Sequence, residues 1–104
     1  MELSQLKVFF EVSEHLNFSK AAKKLHLSQP AVSIRIKSLE KSLKVELFKR
    51  SQNKLELTKA GLETKKACIK IFEEISLLQK TLLSEVKVTL SSVQLLTFVL
   101  DLKL

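Results

Sequence analysis

The chain has 104 residues, of which 45% are apolar, with a single Gly and a single Pro. That is material for one modest core and leaves little for hairpins or long loops, so a mainly α-helical domain is expected. The formal net charge of +7 is uneven, because residues 20–54 hold ten Lys and Arg against two Glu while the rest of the chain is close to neutral. A local positive field attracts polyanions and releases counterions on binding, although a charge run taken alone is more often a solvated basic face.

Cys68 is the only cysteine, which excludes an intrachain disulfide and a Cys metal cluster. His15 and His26 lie far from it in sequence and read as helix-end or surface residues, so no metal and no cofactor are expected. No paired carboxylates, nucleophile with an adjacent base or Gly-rich phosphate loop occur, and an enzyme is not expected. The start, MELSQLKVFFEVSEHL, is acidic at residue 2 and amphipathic, unlike a signal peptide, and points to the cytoplasm.

In chain order, Leu3, Leu6, Phe9, Phe10 and Leu16 recur at helical spacing, with Val8 and Val12 widening the stripe, which predicts a core-facing helix of about four turns. Asn17-Phe18-Ser19 breaks it, and Ala21, Ala22 and Leu25 mark a second, short helix that packs closely. Ser19 is read as its cap. His26-Leu27-Ser28 forms a turn, with Ser28 capping a third helix that begins at Gln29-Pro30. Val32, Ile36, Leu39 and Leu43 mark the buried side of that helix, and Gln29, Ser33, Arg35, Lys37 and Lys41 its polar side. Two short capped helices joined by a tight turn, with Lys20, Lys23 and Lys24 on one and cations on the next, have the form of a helix-turn-helix that holds phosphates.

Beyond Leu43, Val45–Phe48 and Lys54–Leu57 alternate around a polar bend at 49–53, which predicts a two-stranded ribbon, the wing of a winged helix. Arg50 can pair with Glu46 across it. From Thr58 helical periodicity returns. Gly61, Cys68, Ile75 and Leu82 share one heptad position, and Thr64, Ile71 and Leu78 another, so this helix carries a seam suited to a second copy, unless it is a longer core helix of the monomer. Ala60 and Gly61 suit close helix packing. Residues 86–104 hold eleven apolar side chains interrupted by Lys87, Gln94, Asp101 and Lys103, too many charges for a membrane span. Such a segment needs burial, in a continued dimer helix or in paired strands.

The combination SKAA, LSQPAVS, LE, LF-x-R and LT-x-AG, in this order, resembles the N-terminal DNA-binding domain of the LysR-type transcriptional regulators over roughly residues 1–85. The resemblance implies a winged helix-turn-helix at 1–58, a linker and dimerisation helix at 59–85, and a tail at 86–104; Ser84–Thr89, across the junction of the last two, looks like the first strand of an effector-sensing domain that the chain is then expected to lack. It further implies DNA contacts from Ser19, Lys20, Ser28, Gln29, Pro30, Ser33, Ile34, Arg35, Lys37, Arg50, Asn53 and Lys54. The dimer interface would be formed by Thr64, Cys68, Ile71, Ile75, Leu78 and Leu82.

Four positions depart from the family pattern. Ile34 stands where Arg is usual and Arg35 where Gln is more frequent, so either Arg35 reaches the groove by another path or Ile34 meets thymine methyl groups. Asn53 replaces a wing Arg, which leaves Arg50 and Lys54 as phosphate contacts. Lys44 replaces a turn Gly, which costs strain if φ there is positive. The function expected is that of a dimeric, sequence-specific regulator on double-stranded DNA, associated with the nucleoid when bound. The alternatives are an interaction protein that forms mixed dimers with full-length relatives and blocks them, a nonspecific nucleic-acid binder, or a truncated non-functional fragment.

Overall fold

The computed structural model describes residues 1–89 and comprises α1 (Leu3–His15), α2 (Phe18–Leu25), α3 (Gln29–Leu43), β1 (Phe48–Ser51), β2 (Lys54–Leu57) and α4 (Lys59–Thr89). The chain divides into two units, Met1–Ile69 and Lys70–Leu104. Expectations for residues 90–104 lie outside the described residues.

In the first unit the apolar stripes converge on one core: Leu6, Val8, Phe9 and Val12 from α1, Ala21 and Ala22 from α2, and Val32, Ile36 and Leu39 from α3 are all buried. Ala21 and Ala22 are small enough to let α2 approach both neighbours. Phe48, at the head of β1, ties the ribbon to the helices, its ring 5.3 Å from Phe9 and 6.1 Å from Phe18 in tilted geometry.

Each helix start is satisfied by a side chain. The Glu2 N–H donates to Gln5 Oε1 at 2.9 Å, and the Ala31 N–H donates to Ser28 Oγ at 3.2 Å with Pro30 in the first turn of α3. The cap of α2 is Asn17, whose Oδ1 accepts from the Lys20 N–H at 2.9 Å. The assignment of that role to Ser19 is therefore corrected: α2 begins at Phe18, two residues before the Lys20 start that a Ser19 cap implies, and the preceding Asn17 already carries the acceptor at the right reach.

Helices α1, α2 and α3 each end on a left-handed residue that is not glycine, namely Leu16 (φ 47), His26 (φ 56) and Lys44 (φ 59). The strain expected at Lys44 is thus present.

The ribbon is antiparallel, with Phe48 opposite Leu57, Arg50 opposite Leu55 and Ser51 opposite Lys54. Its first strand lies three residues later than the alternation at Val45–Phe48 predicted. Gln52 and Asn53 both have positive φ, 52 and 61, which makes a two-residue turn whose twist matches the strands and draws Lys49–Ser51 into the ladder. In this register Arg50 faces Leu55, so Glu46 is not its cross-strand partner.

Gly61, in the first turn of α4, sits against the Leu47 carbonyl so closely that a Cβ would overlap its oxygen. The close packing expected of this glycine is present. Thr58 caps the same helix by accepting the Gly61 N–H at 2.9 Å while its hydroxyl donates to the Glu46 carbonyl at 2.6 Å.

Within the first unit Cys68 is fully buried, its Sγ 4.0 Å from the Leu6 carbonyl, and burial pushes its thiol up. Lys65 Nζ lies 3.1 Å from Glu14 Oε2 and donates to the Ser13 carbonyl at 3.4 Å.

In the second unit α4 carries exposed Ile71, Leu77, Leu78 and Leu82. Helix continues to Thr89, so Ser84–Thr89 are not a strand there. Those residues contain no Gly or Pro to stop an established helix. Among the described residues no helix is long and apolar enough to cross a membrane.

Candidate nucleic-acid interface

The geometry of α3 decides which side chains face outward. At about 100° per residue, Lys41 and Ile34 lie about 170° from the middle of the buried stripe Val32, Ile36 and Leu39, Pro30 about 150° and Lys37 about 130°. Ser33 lies about 90° away on one flank, and Arg35 about 70° away on the other. Pro30, Ile34, Arg35, Lys37 and Lys41 are exposed and Ser33 is half-buried. The side of α3 that bears Arg35 also bears Ser38, whose hydroxyl accepts from Gln5 Nε2 of α1 at 3.2 Å.

The start of α3 is joined to the start of α2 by one bond: the Ser19 hydroxyl donates to Gln29 Oε1 at 2.9 Å. Beside that bond lies a cleft of about 190 Å³ lined by Leu16, Asn17, Phe18, Ser19, Gln29, Arg50, Asn53 and Leu55. Ser19, Gln29, Arg50 and Asn53, widely separated in sequence, thus share one concavity. Lys20, Ser28 and Lys54 are exposed on the same unit. The exposed cations Lys20, Lys23 and Lys24 of α2 and Lys37 and Lys41 of α3 belong to the basic stretch 20–54. Two helix N-termini and exposed Lys and Arg side chains suit phosphate oxygens, and an exposed helix face suits a groove.

Two residues of this arrangement take positioning roles that the sequence patterns do not assign them. Asn17 is one. The other is Glu40, on α3, whose Oε2 accepts the Leu47 N–H at 2.6 Å and the Phe48 N–H at 3.5 Å, so that a half-buried carboxylate fixes the entry to the wing. Asn before an apolar helix start was a legible signal. A bond between residues seven apart across a turn was not.

Of the heptad positions on α4, Thr64 donates its hydroxyl to the Ala60 carbonyl at 2.8 Å, Ile75 is half-buried, and Ile71, Leu78 and Leu82 are exposed. Cys68 is corrected: its side chain points into the core of the first unit and has no surface to offer a partner. Gly61 and Cys68 share a heptad position, and both serve the first unit's own packing. Among the described residues no group of His, Cys, Asp and Glu could hold a metal ion.

Residues 3–62 match the family described as bacterial regulatory helix-turn-helix protein, lysR family. The chain is 45% identical over 76 residues to the HTH-type transcriptional regulator YbhD of Escherichia coli K12, a stretch that covers 70% of this chain and 24% of that protein. Matches of this kind span from 19% to 42% of the relatives' lengths. Among solved structures, the CbnR DNA-binding domain in complex with DNA superposes with a TM-score of 0.68 at 41% identity, over 73% of this chain and 87% of that one. The BenM DNA-binding domain in complex with benA site 1 DNA superposes with a TM-score of 0.74 at 32% identity, over 78% and 91%. The fold is that of a winged helix-turn-helix followed by a long helix.

Proposed function

The chain belongs to the lysR family of bacterial regulatory helix-turn-helix proteins, and from that premise we propose that it is a dimeric, sequence-specific transcriptional regulator that lays α3 along the major groove of double-stranded DNA. The observation that carries this reading is the free outer face of α3, with Gln29, Pro30, Ile34, Arg35 and Lys37 exposed while Val32, Ile36 and Leu39 fill the core.

Residues 1–58 are the DNA-binding domain. Gln29, Ser33 and Ile34 meet base edges, and Pro30 sets the first turn of the helix that presents them. Ser19, Lys20, Ser28, Lys37 and Arg35 hold phosphates along the groove, while Arg50, Asn53 and Lys54 bring the wing to the neighbouring backbone. Residues 59–85 are the linker helix, along which Thr64, Ile71, Ile75, Leu78 and Leu82 pair with a second copy. The exposed aliphatic side chains at 71, 78 and 82 support pairing, since a row of them on one helix favours burial against another. The same row is able to pair with the matching helix of a longer relative, which would make the chain a blocker through mixed dimers. Action on DNA in a bacterial cell puts the protein in the cytoplasm, at the nucleoid when bound.

A mobility-shift titration of the full chain tests this function. A promoter fragment with dyad symmetry is expected to shift at concentrations that leave random duplex free, and equal affinity for the two at moderate salt would reject specific regulation.

A further inference from the structure

Ile34 exposes 67% of its surface, as much as the chain-terminal Met1. A lone exposed aliphatic residue is ordinary on a protein surface. This one stands on the outermost line of α3, about 170° from the buried stripe, with exposed Pro30 one turn before it and exposed Lys37 and Lys41 beyond. The most outward side chain in the first half of a helix otherwise bordered by cations and hydroxyls is thus apolar.

We infer that this chain reads its operator through an apolar contact at the centre of the recognition helix, in which Ile34, backed by the Pro30 ring, covers the 5-methyl group of a thymine in each half-site. The inference rests on the proposed seat of α3 in the major groove. In that groove the base edges offer donors, acceptors and a single kind of apolar group, the thymine methyl. An Ile side chain pressed onto guanine or cytosine leaves their polar edge atoms desolvated without a partner, which disfavours those pairs as well as favouring thymine.

Arg35 does not compete for this position. It lies about 100° round the helix from Ile34, on the flank where Ser38 bonds Gln5 of α1, and from there its guanidinium meets the groove wall and its phosphates. Ile34 therefore sets which base is preferred, and Arg35 sets how tightly any duplex is held.

The test begins with selection of a binding sequence from random duplexes by the full chain, followed by replacement of each thymine in the selected half-site by deoxyuridine, which removes only the methyl group. One thymine per half-site is expected to show about a fourfold loss of affinity on this replacement, the effect of one buried methyl. The Ile34→Ala variant, altered at an exposed position and checked for unchanged helicity, is expected to bind thymine and deoxyuridine duplexes alike. Ile34→Arg is expected to move the selected base at that position to guanine. No loss at any thymine, or an equal loss in Ile34→Ala, overturns the inference while leaving DNA recognition by α3 intact. Failure to enrich any sequence overturns both.

Discussion

Glu40 does more for this fold than its place on a polar helix face suggests. Its carboxylate receives the N–H groups of Leu47 and Phe48, two donors that the turn out of α3 otherwise leaves without a partner in a half-buried setting. Replacement by Ala removes a charge-assisted bond and strands the donors, so Glu40→Ala is expected to cost about 2–3 kcal/mol in urea unfolding, with Glu40→Gln keeping part of that because its amide oxygen still accepts. Equal stability of Glu40→Ala and the parent chain would show that water replaces the carboxylate without loss. Lys44 lies at the other extreme, since its left-handed backbone at φ 59 disfavours any side chain. Glycine at that position gives up chain entropy on folding but removes the larger steric penalty, and Lys44→Gly is expected to gain about 0.5–1 kcal/mol, a rise of a few degrees in Tm. A lower Tm would mean that the Lys44 side chain makes a stabilising contact of its own.

At the scale of elements, the helices were legible in the sequence because their apolar spacing and the Ser28 cap with Pro30 act over four residues or fewer. The wing was legible only in outline. Alternation placed its first strand at Val45–Phe48, whereas the ladder starts at Phe48, because the contacts that set the register are distant ones: Phe48 on Phe9 and Phe18, and the Leu47 carbonyl against Gly61. Local patterning cannot register such contacts. The candidate site divides the same way, since exposure of the α3 face follows from periodicity while the meeting of Ser19 with Gln29 in a cleft shared by Arg50 and Asn53 requires the tertiary fold. Within the wing, Lys54 stands next to the turn, opposite Ser51, and is exposed. On the proposed seating a cation there meets phosphate whatever the base sequence, so Lys54→Ala is expected to weaken binding to all duplexes about equally and to reduce the slope of log affinity against log salt by about one. A loss confined to one operator would give Lys54 a base-reading role.

For the whole molecule, the proposed pairing rests on a division of labour along α4. Its opening turns serve the first unit, where Gly61 abuts Leu47, Lys65 reaches Glu14 and Cys68 is sealed. Further along, its Ile71, Leu77, Leu78 and Leu82 are exposed, Leu78 by 57%. The heptad pattern in the sequence ran these two jobs together, because periodicity reports that a face is apolar and not what covers it. A charge in the middle of the exposed row is costly only if a partner helix buries it, so Leu78→Lys is expected to sediment as a monomer, with unchanged helicity in its first unit, at concentrations where the parent chain is dimeric. A variant that still pairs would move the interface elsewhere.

Directed cleavage tests most directly the claim that the outer face of α3 lies in the groove. Because Cys68 is fully buried, a Lys41→Cys variant of the full chain has one accessible thiol, and an iron chelate tethered there cuts whatever backbone the helix face approaches. With α3 seated as proposed, cuts on a bound dyad fragment fall in two clusters, one per half-site, separated by a whole number of helical turns. Cuts spread evenly along the duplex, or none on DNA that is demonstrably bound, would contradict the account.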